Sequence, residues 1–111
     1  MGSSLDSVIE RIRDLLALPS QGRGAPSREQ IESVLTEGYA EALALDGQRL
    51  RLERKIDQVT AHLARGGQTS AEDLQKVMAR IEATEEDLTK LRKLLAALRS
   101  RVGQARLGHV A

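Results

Sequence analysis

Apolar residues near the start of the chain fall at Leu5, Val8, Ile9, Ile12, Leu15 and Leu16, the i, i+3, i+4, i+7 recurrence of one helical face. The pattern predicts a short amphipathic helix over residues 5–18, with Ser4 as its cap and Pro19 ending it. A second series follows at Ile31, Leu35, Gly38, Ala42, Leu45, Arg49, Leu52, Ile56, Val59 and Leu63, in alternating steps of four and three. The third runs through Leu74, Val77, Ile81, Thr84, Leu88, Leu91, Leu95, Leu98, Val102 and Ala105. Such heptad spacing is the mark of a coiled-coil seam. Arg49 breaks one seam with a charge and Thr84 breaks the other with a hydroxyl. Both long helices open on a capping pattern, Ser27 with Gln30 and Ser70 with Asp73. Asp46-Gly47 would ordinarily signal a turn, but the heptad phase passes through it unbroken, so the helix is expected to continue.

The expected fold is all-α: an antiparallel coiled-coil hairpin with an additional short N-terminal helix. Residues 1–18 carry the short helix, 19–26 form a flexible linker containing Gly22 and Gly24, and 27–107 form the hairpin, with helices 27–65 and 70–106 joined at Gly66-Gly67. Charge chooses the direction of pairing. The formal charge is −4 over residues 28–46 and +3 over 47–65, then −4 over 70–88 and +6 over 89–107. Folding back at Gly66-Gly67 sets unlike blocks against each other, whereas a parallel pairing sets −4 against −4. One seam leaves Val34, Leu43, Leu50, Met78 and Leu94 partly bare. The short helix can cover one end of the hairpin as a third strand of a bundle, or two hairpins can pair, and the pattern does not choose.

Composition narrows the chemistry. With 111 residues the chain buries a modest core, and it contains no Phe, Trp or Cys. Disulfides, thiolate nucleophiles and zinc fingers are thereby excluded, and a reducing, cytoplasmic setting is expected. No apolar run approaches a membrane span, and residues 1–14 are too charged for a signal peptide. His62 and His109 lack metal-ligand spacing and read as solvated surface groups, and the glycines make no phosphate loop, so catalysis and metal binding are not expected. The basic stretch Lys90, Arg92, Lys93, Arg99, Arg101 and Arg106 has no aromatic platforms beside it and faces the acidic half of the preceding helix, so intramolecular pairing rather than direct nucleic-acid binding is expected. In the hairpin register Arg49 falls across from Leu88 and Glu85, giving the charge in the seam a carboxylate partner or a place in a ligand site.

Thr69-Ser70-Ala71-Glu72-Asp73-Leu74 through Met78-Ala79-Arg80, leading into Glu85-Glu86-Asp87-Leu88-Thr89-Lys90-Leu91-Arg92-Lys93-Leu94-Leu95, resembles the second long helix of the RsiG-like family of cyclic-di-GMP-responsive anti-sigma factors. The likeness covers about residues 31–101. It implies an antiparallel hairpin carrying the motif E-x3-S-x2-R-x3-Q-x3-D once on each helix. The two copies face each other, grip cyclic-di-GMP as a regulatory ligand, and the hairpin holds a sigma factor of the WhiG type. In the first copy Arg49 and Asp57 match, with Ala42, Asp46 and Glu53 at the Glu, Ser and Gln positions. In the second, Glu85 and Arg92 match and Thr89 stands for Ser, with Ala96 and Ser100 at the Gln and Asp positions. Arginine offers paired donors to phosphate or to the guanine O6/N7 edge. The resemblance therefore names Arg49, Asp57, Glu85, Thr89 and Arg92 as ligand-binding residues. The expected function is that of a small, non-enzymatic regulatory binding protein. The alternative is a homo-oligomeric structural coiled coil or adaptor, such as a homodimer, without a small-molecule ligand.

Overall fold

The computed structural model describes residues 4–67 and 71–110, with side chains as far as Gly103. Three helices are present, α1 (Ser4–Ala17), α2 (Arg28–Ala64) and α3 (Ala71–Val110), and there is no strand among the described residues. Packing is mainly α2 on α3. Ser4 is the first residue inside α1 rather than the cap before it. The capping box of α2 forms as its sequence implies: the Gln30 amide donates to Ser27 Oγ at 3.1 Å and the Ser27 amide donates to Gln30 Oε1 at 2.8 Å. The expected Ser70 cap of α3 lies outside the described residues.

Helix α2 closes on a Schellman motif. The Gly67 amide donates to the His62 carbonyl at 2.9 Å and the Gly66 amide to that of Leu63 at 3.0 Å. Gly66 sits at φ 83°, a left-handed conformation that a side chain disfavours. His62 is exposed, and its ring lies over Gly67 so closely that a Cβ there would overlap it. A side chain at Gly67 would have to displace that exposed ring. Asp46-Gly47 lies within α2, which runs unbroken through it.

The seams emerge as burial. On α2, Ile31, Leu35, Gly38, Leu45 and Leu52 are buried, Ala42, Arg49, Ile56 and Val59 are half-buried, and Leu63 is exposed. On α3, Val77, Thr84, Leu88, Leu91, Leu95 and Leu98 are buried, with Leu74, Ile81 and Val102 half-buried. The Ala105 side chain lies outside the described set. Thr84 resolves its polarity locally, its hydroxyl donating to the Arg80 carbonyl at 2.8 Å. A threonine satisfied within its own turn can occupy a core position without an unpaired donor.

Residues group into two compact units. The first comprises residues 1–43 and 90–111, and the second residues 44–89. In the first, α1 buries Leu5, Val8, Ile9 and Ile12 together with Ile31, Leu35, Leu91, Leu95 and Leu98. Gly38 packs directly on Leu95, and a methyl group added at Gly38 would overlap the leucine side chain. In the second unit the buried aliphatics are Leu45, Leu52, Val77 and Leu88.

Candidate functional site

The second unit contains four of the five residues singled out by sequence, Arg49, Asp57, Glu85 and Thr89, while Arg92 belongs to the first. Arg49 is a seam residue with about a third of its side chain exposed. Two carboxylates of its own helix reach it. Asp46 Oδ1 lies 3.4 Å from Nη2, and Glu53 Oε1 lies 3.9 Å from Nε. These are i−3 and i+4 neighbours, the positions that share a helix face with it. The Nε–H is enclosed, and 3.9 Å is too long for a hydrogen bond, so that donor is unsatisfied. The expected partner Glu85 is exposed on α3, and the carboxylates at Arg49 are those of Asp46 and Glu53 instead. The physical reason is proximity: a same-helix neighbour one turn away meets a guanidinium without ordering a second long side chain across an interface.

Both carboxylates occupy positions where the RsiG-type motif has neutral Ser and Gln. Asp46 and Glu53 are thus the groups that neutralise Arg49. An anionic ligand approaching Arg49 meets two negative charges for one positive. Partly exposed ion pairs of this kind are individually worth ~1 kcal/mol or less, but their sign opposes a phosphate.

The other positions are plainer. Asp57 is exposed on α2. The Thr89 hydroxyl donates to the Glu85 carbonyl at 2.9 Å, which ties the two residues together through the backbone and commits the hydroxyl proton to the helix. Arg92 is exposed on α3. His62 is a solvent-facing group, as its spacing implied, and the His109 side chain lies outside the described set.

In the first unit two features escape sequence reasoning. Arg101 turns to the end of α1, donating from Nη2 to the Leu16 carbonyl at 2.9 Å and from Nη1 to the Leu18 carbonyl at 3.2 Å. One arginine of the basic stretch thereby serves backbone acceptors rather than the carboxylates of α2. A signal for it exists: the last turn of α1 has no basic residue of its own, leaving terminal carbonyls in need of an outside donor. The second feature is an open groove of about 590 Å³ lined by Glu32, Leu35, Tyr39, Arg99, Val102 and Gly103. It places the chain's one aromatic residue and a cation along one wall system. Among the described residues there is no group of three or more His, Asp and Glu side chains able to hold a metal ion, and no helix long and apolar enough to cross a membrane.

No family model matches the chain, and no curated protein and no solved structure is significantly similar to it.

Proposed function

We propose that α2 and α3 form an antiparallel coiled-coil hairpin, and that the chain is a non-enzymatic regulatory protein that binds a protein partner, a sigma factor of the WhiG type, as an RsiG-like hairpin does. The direction of pairing is supported by the direct packing of Gly38, early in α2, on Leu95, late in α3, and by the mirrored charge blocks of the two helices. The observation that carries the binding reading is on α2 in the first unit. Tyr39 is 47% exposed and Leu43, one turn on, is 73% exposed. Neither belongs to the seam, so fold stability does not account for them. An aromatic and an aliphatic side chain one turn apart offer an apolar anchor within a charged helix surface.

Cyclic-di-GMP is secondary in this reading. Asp46 and Glu53 beside Arg49 oppose an anionic ligand, so partner binding proceeds without nucleotide. Isothermal titration with a WhiG-type sigma factor, with and without cyclic-di-GMP, tests both parts. Binding unchanged by nucleotide is expected, and Leu43→Glu weakens it about tenfold or more, the range of an interface anchor. Absence of binding under both conditions, together with a stable, nucleotide-indifferent dimer by light scattering, would sink the sigma-factor reading in favour of a homo-oligomeric coiled coil, in which the same exposed pair is covered by a second copy.

A further inference from the structure

One face of α2 carries large apolar side chains that the seam does not use. The helix is unbroken from Arg28 to Ala64, so its 3.6-residue turn places Tyr39, Leu43, Leu50 and Arg54 within about 60° of one direction. All four are exposed, Leu43 by 73% and Leu50 by 49%. Leu45 and Leu52, buried in the seam, lie on nearly the opposite side of the helix. The exposed face has an internal symmetry. Leu43 and Leu50 are equally distant along the chain from the Asp46-Gly47 junction, and so are Tyr39 and Arg54. Charge divides at the same centre, with −4 over residues 28–46 and +3 over 47–65. In the basic half Arg51, Arg54 and Lys55 are exposed and form no ion pair with another described residue.

We infer that α2 pairs with α2 of a second copy of this chain, antiparallel, about a two-fold axis at Asp46-Gly47. A two-fold contact sets one patch against itself, so a helix that meets its own copy must be complementary to its own reversal. This face meets that condition. Reversal about Asp46-Gly47 lays Leu43 of each copy against Leu50 of the other. Tyr39 then meets Arg54 of the second copy, an aromatic ring against a guanidinium. The acidic half lies on the basic half twice, whereas parallel pairing sets −4 on −4 and +3 on +3. Beside the axis Gly47 has only the Arg51 guanidinium within contact distance of a would-be Cβ, and its bare backbone lets the two helices come close. Asp46 brings two like charges near the axis, each already 3.4 Å from Arg49 of its own helix. Large apolar contact is confined to Tyr39, Leu43 and Leu50 of each copy, so the dimer is reversible, with a dissociation constant on the order of micromolar or weaker. Tyr39 and Leu43 are then open to another protein only in the monomer, so self-association controls how much of the anchor is available. That consequence rests on the partner reading; the pairing itself does not.

Sedimentation equilibrium of the full chain, with no other protein present, should show a monomer–dimer equilibrium that weakens as ionic strength rises. Leu43→Glu and Leu50→Glu, both at exposed positions, should keep the helical circular dichroism and each raise the dissociation constant at least about tenfold. Cysteine pairing reads the register, since the chain has no cysteine of its own. Under mild oxidation an equal mixture of Leu43→Cys and Leu50→Cys proteins should give mainly the mixed disulfide. Leu43→Cys alone should cross-link at least about tenfold more slowly, because its two copies stand roughly 10 Å apart along the helix axes, beyond the reach of a disulfide. A chain that stays monomeric up to about a millimolar overturns the proposal. So does a dimer that ignores both glutamates, or a Leu43→Cys protein that cross-links alone as readily as in the mixture. If a glutamate variant loses its helical signal, the cysteine experiment decides. None of these measurements involves a sigma factor, so failure of the pairing and failure of the partner reading are separate results.

Discussion

Two glycines on the same helix give opposite tests of how individual residues contribute. Gly38 is buried against Leu95, and an added methyl group would overlap that side chain. Gly47 faces open space, with only the Arg51 guanidinium within ordinary contact distance of a new Cβ. Glycine in a helix interior costs about 1 kcal/mol relative to alanine, so Gly47→Ala should raise stability by about that amount in urea unfolding. Gly38→Ala gains the same propensity term but must displace a buried leucine, and overpacking costs about 1–3 kcal/mol. The expected outcome is a net loss. A Gly38→Ala protein as stable as Gly47→Ala would show that α2 and α3 do not approach closely there. Thr84 supplies a third case. Its hydroxyl bonds only its own turn, so Thr84→Val keeps shape and removes a buried polar group. Stability should change by under about 1 kcal/mol, and toward the stable side.

These residues also show what the chain's pattern reveals. The positions of burial were legible because a heptad repeat fixes which side of a helix faces its partner, and a side chain cannot leave that face without rotating the whole helix. Seam residues such as Leu35, Leu45, Leu52, Leu88 and Leu95 are buried for that reason. The partner of Arg49 was not legible. A hairpin register places Glu85 across from it, but rotamer choice on an exposed edge lets Asp46 and Glu53, one turn away, reach the guanidinium first. Helix spacing puts Asp46, Arg49 and Glu53 on one face, and the side-chain rotamers decide which carboxylate the guanidinium meets.

At the scale of elements, both ends of α2 are set by local motifs. Ser27 and Gln30 satisfy each other's backbone amides, and Gly66-Gly67 closes α2 through two defined hydrogen bonds. Each motif is local, so a few residues suffice to specify it. Ser27→Ala removes the acceptor for the Gln30 amide and should cost about 1 kcal/mol. Gly66→Ala forces a Cβ into the left-handed region at φ 83°, at a cost of roughly 1–2 kcal/mol. Thermal unfolding by circular dichroism measures both. The attachment of α1 is different in kind. Arg101 lies 83 residues from Leu18 in the chain, and what it binds is backbone, which leaves no complementary side chain to recognise.

For the molecule as a whole, the buried aliphatic residues are unequally divided. Among the described residues the first unit holds nine, and the second holds Leu45, Leu52, Val77 and Leu88. Of the five large side chains that are fully enclosed, Ile12, Ile31, Leu91 and Leu98 are in the first unit and only Leu88 is in the second. Local stability follows buried apolar contact, since each aliphatic side chain taken from water contributes about 1.5–3 kcal/mol. Opening free energy should therefore fall from the α2 and α3 segments of the first unit to those of the second. In native-state hydrogen exchange the slowest amides should lie near Ile31–Leu35 and Leu91–Leu98, and those at Val59–Leu63 should exchange well before them. Truncation follows the same order. Leu98→Ala removes a completely buried side chain and should cost about 2–5 kcal/mol. Leu63→Ala, at a seam position already 42% exposed, should cost a small fraction of that. Equal protection along both long helices, or equal costs for the two alanine substitutions, would mean that the chain opens in one cooperative step and that the division into units has no energetic counterpart.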